Sequence, residues 1–206
     1  MPIFFHTFQN YDINLFKKEI LKMKDVEFKC IPRTNYKFIS FSIMFPYKKG
    51  KKQKRHFFEI RFLDSMQFLT GSPDAISEKY NNDFKITRSQ FPEEVWKLIS
   101  QKGVFLYNYP DSFDRLNETK LPDIKEFYDI LKLEECKQDD YHRALNVWKT
   151  MNFKIIKDYL AVYLNCDVLI LADIIEHFRT MCIQYYELDP LYYYTSPNFF
   201  WDACLK

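Results

Sequence analysis

The chain has 206 residues, a formal net charge of +2 and 19% aromatic side chains, which suits one core with a small appendage and excludes polyanion binding through a global field, leaving only a local basic patch for it. No apolar run is long enough to cross a bilayer, so a membrane is not an expected partner. Three glycines exclude a Gly-rich phosphate loop, and five cysteines (Cys30, Cys136, Cys166, Cys182 and Cys204) without a C-x-x-C pair argue against a disulfide framework or zinc site and fit a reducing compartment.

Pro2-Ile-Phe-Phe-His-Thr7 reads as a short buried strand that starts at the second residue. A chain that begins inside an element is expected to have its true start further upstream. A helix is predicted from Asp12 to Met23, with Ile13, Phe16 and Ile20 on one face. A hairpin follows: Ile39, Phe41, Ile43 and Phe45 alternate with polar residues or Met44, then Phe58, Ile60 and Phe62 alternate with Glu59 and Arg61. Phe4, Phe58, Ile60 and Phe62 are expected to be buried. The connection Lys48–Arg55 is strongly basic. Its simplest reading is a solvated hairpin tip; the alternative is backbone contact with nucleic acid, with Tyr47 and Phe57 stacking on bases.

Residues 70–108 suggest short helices, one over Pro92–Ser100, and Pro110–Pro122 an extended loop. Helical patterning returns at Ile124–Leu131 and Asp140–Thr150, is strongest over Lys157–Tyr185, and ends in a short helix over Phe199–Leu205. Strand, hairpin and helices together predict an α/β fold with a mixed sheet flanked by helices.

Asp12 lies where the first strand gives way to a helix, which taken alone is a helix N-cap. Tyr163 and Asp167 are one helical turn apart and share a face. Tyr163 is read most simply as a core aromatic. Asp167 sits in an apolar run, where a carboxylate needs a partner or a metal. Asp64-Ser65 ends the second hairpin strand and reads as an Asx or Ser turn. His6, His56, His142 and His177 have no ligand spacing. Two carboxylates from distant segments and a tyrosine are the material of a two-metal phosphodiester hydrolase.

In order and spacing these pieces resemble the 3′–5′ exonuclease domain of family B DNA polymerases, closest to the protein-primed branch of phages, adenoviruses, organellar plasmids and self-synthesising transposons. Phe5-His-Thr-Phe-Gln-Asn-Tyr-Asp12 is similar to that branch's second exonuclease motif, and Arg61-Phe-Leu-Asp-Ser65-Met-Gln-Phe-Leu69 to its Ser/Thr-Leu motif. Tyr163-Leu-Asn-Cys-Asp167 matches the third motif, Tyr-x-x-x-Asp. Gly103–Phe113 and Tyr192–Ala203 also resemble the transposon and viral members.

The resemblance implies an RNase H-like fold and Mg²⁺ or Mn²⁺ held by Asp12 and Asp167, with Tyr163 orienting the attacking water. It implies that Thr7, Tyr11, Ser65 and Met66 contact a single-stranded primer end. Thr7 stands where the family has Asn, and Met66 where it has Leu; Lys120 is a candidate for the family's catalytic lysine. Residues 1–186 would be most of the exonuclease domain and 187–206 the start of the polymerase domain. The first motif, Asp-x-Glu, is expected upstream of Pro2, truncating the domain at its N-terminus, and the polymerase motifs beyond Lys206. The chain alone is then expected to bind single-stranded DNA weakly and hydrolyse it little. A terminal priming protein is a partner by likeness only. The competing readings are a stand-alone RNase H-like nuclease and a non-catalytic single-stranded nucleic-acid-binding module.

Overall fold

A computed structural model describes residues 1–9, 12–34, 37–48, 55–73, 75–76, 84–99, 104–106, 108–130 and 133–206. Tyr11, Asn10, Gly103 and the basic segment 49–54 lie outside the described residues. The chain divides into two compact units, one formed by Met1–Ser72 with Ile175–Lys206 and the other by Pro73–Ile174.

The first unit holds a four-stranded mixed sheet in the order β1-β4-β3-β2. The strands are β1 (Pro2–Phe5), β2 (Glu27–Pro32), β3 (Phe38–Lys48) and β4 (Arg55–Asp64). β1 is an edge strand that runs parallel to β4, with Phe4 opposite Leu63 and Phe5 opposite Asp64. β3 pairs antiparallel with both β4 and β2, and Phe41 faces Phe62 across the hairpin. The α/β class and the mixed sheet agree with the sequence reading.

Strand alternation gives this sheet two apolar faces. Phe41, Ile43 and Phe62 lie on one, covered by Phe8 and by Ile13, Phe16 and Ile20 of helix α1 (Asp12–Ile20). Eight phenylalanines pack in this cluster, so its cohesion is largely ring against ring; Phe8 and Phe62 stack with centroids 6.2 Å apart. Phe58, expected inside, is 49% exposed. The reason is length. A nine-residue helix spans about 13 Å, whereas β4 runs for about 33 Å, and Phe58 lies beyond the cover near the turn end of the hairpin.

On the other face Phe4 meets Phe68, which meets Phe178. Phe178 and Cys182 belong to α5 (Ile156–Tyr186), and Phe199 to α6 (Ser196–Leu205). These three are buried together. The tail is pinned by Arg61, which donates to the carbonyls of Leu191 and Tyr192, and by the Ser196 hydroxyl, which donates to the Gln67 carbonyl at 2.7 Å.

The second unit contains α2 (Lys85–Ser89), α3 (Glu93–Ile99), α4 (Gln138–Thr150) and residues 156–174 of α5. Its core is Leu106, Leu121, Phe127, Ala144, Val147 and Tyr159. The Tyr159 hydroxyl donates to the Val104 carbonyl, so the ring is buried without stranding its polar tip. The loop 108–123 has only one 3₁₀ turn, Arg115–Asn117. It is closed by the Tyr109 hydroxyl on Glu118 at 2.7 Å and by the Arg115 guanidinium 4.4 Å from the Tyr109 ring centroid.

Several boundaries differ from the sequence reading. β1 ends at Phe5, because Thr7 adopts a left-handed φ of 66° that no strand continues through. α1 stops at Ile20 rather than Met23. The helix expected over Ile124–Leu131 is a single 3₁₀ turn, Ile124–Phe127, followed by a bridge from Asp129 to Glu134. β2 has no counterpart among the predicted elements: it is an edge strand with mostly exposed side chains and a terminal proline, so it lacks a clean apolar alternation. Among the described residues no helix is long and apolar enough to cross a membrane.

The cysteines offer a check on this packing. Burial pushes the thiols of Cys166 and Cys182 up to about 11, whereas Cys30 and Cys204 are exposed. Two thiols should react rapidly with a disulfide reagent at neutral pH, and Cys166 and Cys182 at least about a hundredfold more slowly. All five should become fast in denaturant. Rapid native-state labelling of Cys182 would contradict the packing of α5 against α6.

Candidate functional site

The first unit gathers its polar residues where β1 and β4 end side by side. Parallel pairing puts the segment after Phe5 next to Asp64. Asp64 is 2% exposed. Its Oδ1 accepts from the backbone amides of Thr7 (3.1 Å) and Met66 (3.0 Å), and its Oδ2 from that of Gln9 (3.1 Å). The Asx-turn reading of Asp64-Ser65 therefore holds, since Asp64 caps the 3₁₀ turn Ser65–Gln67. It is also incomplete, because the same carboxylate anchors the loop 6–9. His6 Nδ1 lies 2.9 Å from the Ser65 hydroxyl, across 59 positions of sequence.

Asp12 opens α1 beside this corner. Its pKa is raised, first by burial and further by the Asp64 carboxylate; its own backbone amide and His6 act in the opposite sense. The His6 imidazole is pushed below its ordinary value by burial, opposed by Asp64 and Asp12. Thr7 is held by its amide on Asp64, and its hydroxyl donates to the His6 carbonyl at 2.6 Å. Ser65 is buried, with its hydroxyl committed to His6, while Met66 is half-buried. Thus Thr7, Asp12, Ser65 and Met66 do converge in one unit. His6 and Asp64 complete the corner, although the sequence reading assigns them no chemistry. The available signal is an acid directly after the apolar run Phe62-Leu63.

Tyr163 and Asp167 belong to the second unit. As their spacing predicts, both line one narrow slot of about 40 Å³, together with Val104, Arg143 and Ile170. The Tyr163 ring stacks on Phe105 with centroids 5.0 Å apart. Asp167 is exposed despite the apolar run around it. The buried acid of α5 is Asp173, 6% exposed, and it accepts from the Ile86 and Thr87 amides and the Thr87 hydroxyl at 2.7–2.8 Å. Helix phase alone does not decide this: Ile174 and Phe178, seven and eleven residues beyond Asp167, share its face and are buried, so the difference lies in what packs on each stretch of the helix. Lys120 is exposed on the loop before Leu121.

Taken unit by unit, the donors suit a hard divalent cation only in part. Asp12 and Asp167 bring carboxylate oxygens, the ligands Mg²⁺ and Mn²⁺ prefer. Asp64 already has both oxygens on amides. Among the described residues no group of three or more His, Cys, Asp or Glu side chains is arranged to hold a metal ion. Comparison of the chain with protein-family models, curated proteins and solved structures returned no match.

Two outcomes are expected of this corner. Asp64→Ala takes the acceptor from one buried and two part-buried amides and should lower unfolding stability by about 4–5 kcal/mol, at roughly 1.5 kcal/mol per lost bond to a charged group; a loss within error of zero in urea titration would show that water replaces the carboxylate. His6 titrates lower folded than unfolded, so stability should rise with pH from the lowered value up to about 6.5 and be complete above it. Asp12 titrates higher folded, so its contribution has the opposite slope just above the ordinary carboxylate range. Urea midpoints measured against pH should lose the rising segment in His6→Gln and keep it in Asp12→Asn.

Proposed function

We propose that this chain carries most of the 3′–5′ proofreading exonuclease domain of a family B DNA polymerase used in DNA replication, on an RNase H-like fold. The observation that carries this reading is the contact between His6 and Ser65 together with the Asp64 clamp on Thr7, Gln9 and Met66. It joins two segments that the resemblance assigns separately to one primer-binding site. The mixed sheet with β1 parallel to β4 is compatible with that fold.

In this reading Asp12 and Asp167 hold Mg²⁺ or Mn²⁺, and Tyr163 orients the attacking water. Bound ions would activate that water and stabilise the leaving 3′ oxygen. Thr7, Tyr11 and Met66 receive the unpaired primer end, and Ser65 acts through His6. The buried position of Ser65 makes its role one of positioning. Asp64 keeps this corner in shape and takes no metal.

Mn²⁺ binding followed by electron paramagnetic resonance tests the shared site. Asp12→Ala and Asp167→Ala should each weaken one and the same Mn²⁺ site by at least about tenfold, with Asp123→Ala as a neutral control. Loss of two unrelated sites, or of none, would sink the exonuclease reading. Binding of single-stranded DNA that is indifferent to divalent ions in both variants would favour a non-catalytic binding module.

A further inference from the structure

A second polar feature of the first unit uses neither Asp12 nor the Tyr163–Asp167 pair. A cleft of about 420 Å³ opens between the β2–β3 turn and the residues just after β4. Gln9, Arg33, Thr34, Lys37, Met66 and Gln67 line it, with the Asp64 carboxylate among them. The turn is stapled by its own backbone: the Arg33 and Thr34 amides both donate to the Lys37 carbonyl, and the Lys37 amide donates to the Thr34 hydroxyl. Arg33 and Lys37, both exposed, are thereby kept at one rim.

Two observations specify what such a cleft would take. Gln9 is only 4% exposed, yet its Nε2 has no hydrogen-bond partner among the described residues. Buried amide donors are normally paired, so an orphan in a cleft wall calls for an acceptor. The terminal torsion of glutamine is broad, so the amide can turn toward the cleft its side chain lines. The second observation is charge. The cleft has two cations against one described carboxylate, whose charge is spread into three backbone amides. An occupant must bring both negative charge and acceptor oxygens, and a phosphate group brings both.

We propose that this cleft binds a phosphate group, with Arg33 and Lys37 as its counter-charges and Gln9 as a neutral donor. The phosphate could belong to a free mononucleotide or to a strand, and the chemistry at the cleft is the same. The cleft shares Met66 with the primer end of the exonuclease reading, but the phosphate site needs no metal and no hydrolysis, so the two readings can fail separately.

The test uses the full chain in EDTA, so that failure of the metal site leaves the result untouched. Inorganic phosphate, thymidine monophosphate and a labelled oligothymidylate are titrated by calorimetry or fluorescence anisotropy. Arg33→Ala/Lys37→Ala should weaken binding about tenfold or more at low salt. For the oligonucleotide it should also reduce the slope of log K against log salt by about 1.4, two contacts at roughly 0.7 each. Gln9→Leu conserves volume and removes the orphan donor. It should melt at or above the parent temperature while binding several-fold more weakly. Binding of phosphate and the mononucleotide with the same losses identifies a free phosphate ligand; binding of the oligonucleotide alone identifies a strand. Affinities unchanged in both variants would overturn the proposal. So would a Gln9→Leu chain that melts well below the parent, because its amide would then be satisfied already.

Discussion

A single carboxylate, Asp64, fixes the geometry of the polar corner. β1 has four residues and pairs on one side, so its short ladder exerts little hold on the loop 6–9. Asp64 holds that loop through the amides of Thr7 and Gln9, while the amide of Met66 binds the same group from the β4 side. The clamp outweighs a local cost. Thr7 is β-branched and sits at φ 66°, a conformation that costs about 1–2 kcal/mol. Bonds from amides to a carboxylate contribute about 1.5–3 kcal/mol each, so three of them dominate. His6 is carried to Ser65, and Asp12 to the start of α1, as consequences of that balance.

The second unit solves a similar problem in the same way. Asp173 accepts from two successive amides at the start of the five-residue α2 and from the Thr87 hydroxyl. A helix that short cannot support itself, and a buried acid from α5 holds its first turn. In both units the most buried acids bind backbone. The acids to which the proposed reading gives a metal, Asp12 and Asp167, are half-buried and exposed. For Asp64 and Asp173, burial thus goes with a structural clamp.

The sheet class and the long helix are legible in the sequence because their signals are periodic: alternation at Phe41, Ile43 and Phe45, and an apolar pattern sustained from residue 157 onward. The shared face of Tyr163 and Asp167 is legible from helical geometry alone, and both line one slot. Which acid of α5 is buried is not. Asp167 and Asp173 both sit among apolar residues, and only the packing along each stretch of the helix decides which one is covered. Phe58 departs from expectation for a related reason, since alternation gives the face of a strand but not how far its covering helix reaches. The roles of Asp64 and His6 require the parallel pairing of β1 with β4, a contact between segments 55 or more positions apart.

The loop 108–123 has a practical consequence. Sixteen residues with one short 3₁₀ turn would ordinarily be where proteases cut, and Arg115 offers trypsin a cleavage point in its middle. Cleavage requires the chain to straighten into the enzyme's cleft. Here Arg115 lies over the Tyr109 ring and bonds to Asp111, and Tyr109 is tied to Glu118. The side chain that trypsin must capture is the one that closes the loop. The loop must therefore open before it can be cut at Arg115, and limited digestion of the native chain should begin at other lysines and arginines, the exposed Lys120 of the same loop among them.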